Sequence, residues 1–236
     1  MTAPDPHNMK SHSYTDRKPE EREHFFFFCR FLVRWVFKIF LRLKVEGKEN
    51  VPPEDGVILA SNHCSLFDPP LVGVATRRPL YFLAKKELFH PPVFGLLIAT
   101  LHAFPVSRGF GRQAIAQVLQ MLREDRAVLL FPEGTRQKDG ALGQARAGVG
   151  MIALKSGKPI VPVWVSGSRH AWRALIGLRR VRVCFGKPIY PQEFRNTEDR
   201  RKRYQHIGDQ VMEAIGEIAG HGIAAAETRG KPIDSL

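Results

Sequence analysis

The tightest constraint on the fold is the shortness of the apolar runs between residues 47 and 219. Val57–Ala60, Leu80–Ala84, Val128–Phe131, Ile160–Val165 and Val181–Phe185 are almost wholly apolar stretches of four to six residues. Buried helices need about ten residues or more, so runs this short suit strands covered on both faces. Between them the period changes. Ile115, Val118, Leu119 and Leu122 recur at helical spacing within 113–125, and helical material is expected after Pro69-Pro70 and near 147–156. Ile207, Val211, Ile215 and Ile218 share one face of a helix predicted over 198–219. This alternation predicts an α/β domain over 47–219, with a largely parallel sheet flanked by helices.

Ahead of that domain, residues 25–43 read FFFFCRFLVRWVFKIFLRL. Arg30, Arg34, Lys38 and Arg42 fall four residues apart and form one slowly drifting stripe on a helix. The rest of the circumference is apolar and carries Phe27, Phe31 and Trp35. A basic stripe opposite an aromatic face predicts an amphipathic membrane-docking helix over 21–46, lying among anionic headgroups. Two alternatives stay open. A core helix needs an exit to water for four cations, and a spanning helix carries those cations at depth, at a cost. Residues 1–20 read as a disordered tail with no apolar secretory stretch, and 220–236 as a flexible C-terminal tail.

Lys and Arg number 36 against 23 acidic residues, a formal charge of +13, which favours a polyanionic partner such as an anionic membrane, a phosphorylated substrate or nucleic acid. Cys29, Cys64 and Cys184 are far apart and odd in number, which argues against a disulfide framework and for a reducing, cytosolic setting.

Chemistry-bearing residues fall where predicted strands end, the edge at which open α/β sheets collect ligands. The Val57 strand runs into Ser61-Asn62-His63-Cys64-Ser65-Leu66-Phe67-Asp68-Pro69-Pro70. Asp68 before proline suits a helix N-cap, with Pro69 at the first helical position. A loop between His63 and Asp68 can also fold the carboxylate onto the imidazole. Asp68 then fixes the tautomer while the other ring nitrogen takes a proton. A plain loop histidine beside a helix cap is the competing reading. The Val128 strand runs into Phe131-Pro132-Glu133-Gly134-Thr135-Arg136, where a glycine permits close approach and Thr and Arg offer anion donors. Phe104-Pro105-Val106-Ser107-Arg108-Gly109 supplies another Arg-Gly turn.

The ordered blocks N-H-x4-D, F-P-V-x-R-G, F-P-E-G-T-R and Ile160-Val161-Pro162-Val163 resemble the glycerophospholipid acyltransferases, and most of all the 1-acylglycerol-3-phosphate acyltransferases. The resemblance runs from about Val57 to Gly167 and departs after Arg136, where Gln137 to Arg146 lacks the aromatic residue common there. It implies that His63 is the general base and Asp68 its orienting partner. Arg108 and Arg136 hold the acceptor's phosphate; Glu133, Gly134 and Thr135 shape the acceptor pocket, with Glu133 ordering the arginines; Lys85 adds charge nearby. The implied reaction moves a fatty-acyl group from acyl-CoA or acyl-acyl carrier protein to a lysophospholipid hydroxyl. The implied acceptor is 1-acyl-sn-glycerol-3-phosphate, with other lyso-lipids, including amino-acid-based ones, as alternatives. No cofactor, metal or covalent acyl-enzyme is expected, since the thioester is already activated. The implied location is the cytoplasmic face of the inner membrane, as a peripheral or monotopic protein.

Competing readings are weaker. Gly109-Phe110-Gly111-Arg112-Gln113-Ala114 loosely fits a dinucleotide fingerprint but lacks the later ribose-binding acid. Arg200-Arg201-Lys202-Arg203 and the net charge would suit a nucleic-acid binder, yet no nucleic-acid recognition motif accompanies them, and no nucleic-acid partner is expected. A non-catalytic lipid-binding protein leaves the His63/Asp68 pair unexplained.

Overall fold

The computed structural model of the chain describes residues 31, 35, 42–91, 95, 98–99, 101–106, 111–137, 141–169, 180–194 and 199–227. Its centre is β2 (Val57–Ser61), in which all five residues are buried. The side chains alternate between two cores, as strand geometry requires. Val57 and Leu59 join one cluster, while Ile58 and Ala60 join the other. This double burial explains why the strand is a continuous apolar run.

The other strands are β1 (Lys44–Glu46), β3 (Leu80–Lys85), β4 (Ala103–Val106), β5 (Ala127–Leu130), β6 (Ile160–Ser166) and β7 (Arg182–Phe185). They form one sheet in the order β1-β7-β6-β2-β5-β3-β4. All neighbours are parallel except β6 and β7. The α/β class and largely parallel sheet are thus as expected, with two edge strands added.

Helices α1 (Asp68–Ala75), α2 (Gly111–Arg123), α3 (Gly148–Ser156) and α4 (Arg200–Glu227) cover the sheet among the described residues. Leu71, Val72 and Ala75 of α1 pack on the face that carries Leu59, Phe82, Leu129 and Val163. Val118 and Leu122 of α2, Ile152 of α3 and Ile207, Val211 and Ile215 of α4 pack on the opposite face with Ile58 and Val128. Each fully buried aliphatic chain contributes about 1.5–3 kcal/mol by leaving water.

The connections out of β2 and β5 matter most. These strands pair directly, Ala60 beside Leu130. The chain leaves β2 through α1 on one face and leaves β5 through α3 on the other. Where adjacent connections diverge to opposite faces, a crevice opens at the carboxyl ends of the strands. At the other end of the sheet, Arg78 closes the loops by donating to the carbonyls of Pro52, Glu54, Asp55 and Asp125.

Three expectations need correction. The helix predicted over 21–46 cannot reach its end: Arg42 has φ 48° and Lys44–Glu46 is a strand paired with β7. The tail predicted from 220 begins later, because α4 continues to Glu227. The stretch Phe104-Pro105-Val106, read as the approach to a turn, is edge strand β4, where proline is tolerated because one side of the ladder is unpaired. Phe27, Arg30, Arg34 and Lys38 lie outside the described residues. Phe31 and Trp35 are helical, 59% and 46% exposed, with their rings edge to face at 6.0 Å. Among the described residues, no helix is long and apolar enough to cross a membrane.

Candidate active site

The site begins where β2 ends. Asn62 is buried, and its amide continues the sheet: Nδ2 donates to the Val165 carbonyl at 3.0 Å, and Oδ1 accepts from the Val165 N–H at 2.8 Å. The backbone is therefore fixed immediately before His63. Sequence reasoning assigned Asn62 no role; a strongly polar residue at the end of an apolar strand was the available signal.

His63 is held on four sides. Its N–H donates to Glu133 Oε2 at 3.1 Å, and its carbonyl accepts from the Gln137 N–H at 2.8 Å. The ring stacks on Phe131, with centroids 3.8 Å apart and planes 19° apart. Nδ1 lies 3.0 Å from Asp68 Oδ2, and the imidazole retains 16% exposure. Three of these contacts come from the loop after β5, so the crevice between the two strands is closed from both sides around the histidine.

Asp68 is completely buried. Its Oδ2 accepts from the N–H groups of Cys64 and Ser65, both at 2.7 Å, as well as facing the imidazole. The expected N-cap is therefore replaced by a different arrangement. Asp68 is the first helical residue, Phe67 precedes it, and the carboxylate turns back into the loop. Pro69 fits this geometry, because a proline in the first turn has no N–H to be capped. With two backbone N–H groups committed to Oδ2, the atom facing the imidazole is an acceptor. Nδ1 then carries the hydrogen and Nε2 presents a lone pair.

Glu133 is also buried, and both of its oxygens serve backbone donors: Oε2 the His63 N–H, and Oε1 the Gly143 N–H at 3.0 Å. Glu133 thereby links two loops, and the expected contact with Arg108 lies outside the described residues. Burial pushes its carboxyl above the usual range, opposed by the hydrogen bonds from Gly143 and then His63. Gly134 has φ +70°, and a Cβ there would sit 2.9 Å from Arg146 Cδ. Arg146, not singled out from sequence, thus lies across the loop and donates its N–H to the Pro132 carbonyl at 2.9 Å.

Thr135 and Arg136 are exposed on the same loop, and Lys85 is exposed at the end of β3, which pairs with β5. These groups share one edge of the sheet. Arg108 lies outside the described residues. Cys64 is a poor nucleophile here: burial, then the Asp68 and Glu133 carboxylates, push its thiol up to about 11. The turn between His63 and Asp68 leaves Leu66 39% and Phe67 45% exposed. The whole arrangement is an imidazole fixed against a buried carboxyl group, beside a basic loop and an apolar lip.

The acyltransferase family profile matches residues 42–166. The chain is 27% identical over 193 residues to a 1-acyl-sn-glycerol-3-phosphate acyltransferase of Bacillus subtilis (strain 168), covering 81% of this chain and 95% of that protein. It is 32% identical over 126 residues to the protein of that name from Borreliella burgdorferi, covering 52% and 50% of the two chains. It is 29% identical over 159 residues to a chloroplastic one from Arabidopsis thaliana, covering 64% and 44%. The match thus spans about half of these last two relatives and nearly all of the Bacillus protein. The crystal structure of the 1-acyl-sn-glycerophosphate (LPA) acyltransferase PlsC from Thermotoga maritima superposes with a TM-score of 0.61 at 27% identity, covering 84% of this chain and 82% of that one.

Proposed function

The chain belongs to the acyltransferase family, and from that premise we propose that it moves a fatty-acyl chain from a thioester donor to the free hydroxyl of a lysophospholipid. The acceptor we favour is 1-acyl-sn-glycerol-3-phosphate, the substrate named for the bacterial and plant relatives. The observation that carries the reading is the pairing of His63 Nδ1 with Asp68 Oδ2 at 3.0 Å.

The chemistry follows from that pairing. Nε2 takes the acceptor's hydroxyl proton as the oxygen attacks the thioester carbonyl. Asp68 stabilises the imidazolium that forms. The C–S bond then breaks, and the proton passes from Nε2 to the departing thiolate. No acyl-enzyme intervenes, and the protonated Cys64 thiol is not used. Arg136, with Arg108, holds the acceptor's phosphate; Thr135 and Lys85 add a donor and a charge at the same edge. Gly134 lets Arg146 lie close against this loop. Acyl-CoA and acyl-acyl carrier protein both fit as donors, and no other cofactor is required.

The acceptor's chain resides in a bilayer, so the site must face one. Leu66 and Phe67 on the catalytic turn, with Phe31 and Trp35, are the exposed apolar groups that support peripheral docking at an anionic membrane surface. The test is direct. Purified protein is given acyl-CoA or acyl-acyl carrier protein with a panel of lyso-lipids, and products are read by mass spectrometry. The expected product is phosphatidic acid, with turnover about 10²–10⁴-fold lower for a folded His63→Ala protein. Equal turnover in the two proteins would overturn the mechanism.

A further inference from the structure

A second basic site lies on the far side of the glutamate loop. The turn Ala145-Arg146-Ala147 and the start of α4 border an open surface cavity of about 620 Å³, lined also by Asp199, Arg201, Lys202 and Gln205. Gln205 Nε2 fastens the turn to the helix by donating to the Ala145 carbonyl at 2.9 Å. Asp199 Oδ1 accepts from the N–H groups of Arg201 and Lys202 at 2.8 and 3.4 Å. The helix end is therefore already capped by a carboxylate, and the cations offered to a ligand are side chains. Three cations against one carboxylate leave a net charge of +2 in the lining. That matches a phosphate monoester, which carries about −1.5 to −2 near neutral pH.

Position decides which phosphate. α4 packs on the face opposite α1, whose first residue is Asp68. Arg146 bridges the two regions, lining the cavity while its side chain lies over Gly134. The acceptor's phosphate is bound by covalent connectivity to stay near its reacting hydroxyl, hence near His63. A donor's phosphates stand apart from the thioester, at the end of a long pantetheine arm. They can therefore occupy a site behind the loop while the thioester reaches Nε2. We propose that this cavity is the subsite for the phosphorylated nucleotide end of a coenzyme A thioester, gripped by Arg146, Arg201 and Lys202. The proposal rests on the acyl-transfer reading above and assigns the two substrates to opposite faces of the sheet edge.

The experiment uses the full chain with Arg201→Gln and Lys202→Gln combined. Both positions are exposed in the first turn of α4, and losing cations there does not oppose the helix dipole, so the fold is expected to survive. Donor KM is measured with acyl-CoA and with the acyl thioester of N-acetylcysteamine, which lacks phosphate. The expected result is a rise of about tenfold or more for acyl-CoA, with less than about twofold for the truncated donor and for the acceptor. Binding of adenosine 3′,5′-bisphosphate, followed by calorimetry, should weaken in parallel, while binding to anionic vesicles should not. Unchanged acyl-CoA KM, equal rises for both donors, or a rise confined to the acceptor would overturn the proposal. So would loss of vesicle binding with adenosine bisphosphate binding retained, which would mark a lipid-headgroup site. If the wild-type protein transferred no acyl group, the proposed function would fall, and the calorimetric arm would still judge the subsite.

Discussion

Replacing Asp68 with Asn tests the site at its most buried point. The carboxylate makes three contacts through one oxygen: two backbone N–H groups at 2.7 Å and the imidazole at 3.0 Å. An amide can keep its oxygen in that position, and the two backbone donors favour that orientation over the flipped one. The imidazole should therefore keep its tautomer in Asp68→Asn, and what is lost is charge. When Nε2 takes the proton, an imidazolium forms beside a neutral amide. At a separation of about 4 Å and an effective dielectric of about 20, the missing attraction is ~4 kcal/mol. That corresponds to about a thousandfold in rate. Stability should also fall, because each bond to a charged acceptor exceeds its neutral counterpart by about 1 kcal/mol, partly offset by relief of burying the charge. Turnover at saturating substrates, the melting temperature and ¹⁵N shifts of the His63 ring would be measured together. A folded Asp68→Asn protein within about threefold of wild-type turnover would refute the charge argument. A rate collapse accompanied by a switched tautomer would refute the argument that the backbone donors hold the amide in place.

Other outcomes follow from the same geometry. Glu133→Gln places an NH₂ against one of two backbone N–H groups, so turnover should fall about 10–100-fold through misplacement of His63, with acceptor KM less affected. Gly134→Ala should lower the melting temperature by about 3–6 °C, since a left-handed residue with a Cβ costs ~1–2 kcal/mol and displaces Arg146. With its thiol held near 11, Cys64 should resist iodoacetamide at pH 8, where about one molecule in a thousand is thiolate, and label readily once unfolded. Phe31→Ser with Trp35→Ser should weaken vesicle binding roughly tenfold at every salt concentration, and should reduce activity on bilayers more than in detergent.

The central strands were readable because they are buried on both faces, which makes them apolar at every position, as in Val57–Ala60. The edge strands were not. Lys44–Glu46 is mostly charged, and Ala103–Val106 contains a proline, because an edge is free of the demands that shape the middle. The end of α4 was missed because Gly220 and Gly222, poor helix formers, lie inside a helix that continues to Glu227. His63, Asp68 and Glu133 could be picked out by type and by position at strand ends. Their actual partners could not. Asp68 turned from a forward cap to a backward acceptor, and Glu133 reaches backbone N–H groups of two loops, because those contacts depend on which loops the pairing of β2 with β5 brings together.

The two kinds of contact around His63 differ in the distance they span along the chain. The link to Asp68 closes over five residues, and the link to Glu133 over seventy. During synthesis the first can form as soon as the turn and its short helix have emerged. The second must wait until β5 and the loop after it have been made. On the proposed mechanism the His63–Asp68 pair is thus prepared early and left unanchored, and catalytic competence is expected only when a distant part of the chain docks. A ribosome-bound fragment ending before β5 would hold the base and its carboxylate yet show no activity, so the appearance of turnover would date the closing of the sheet.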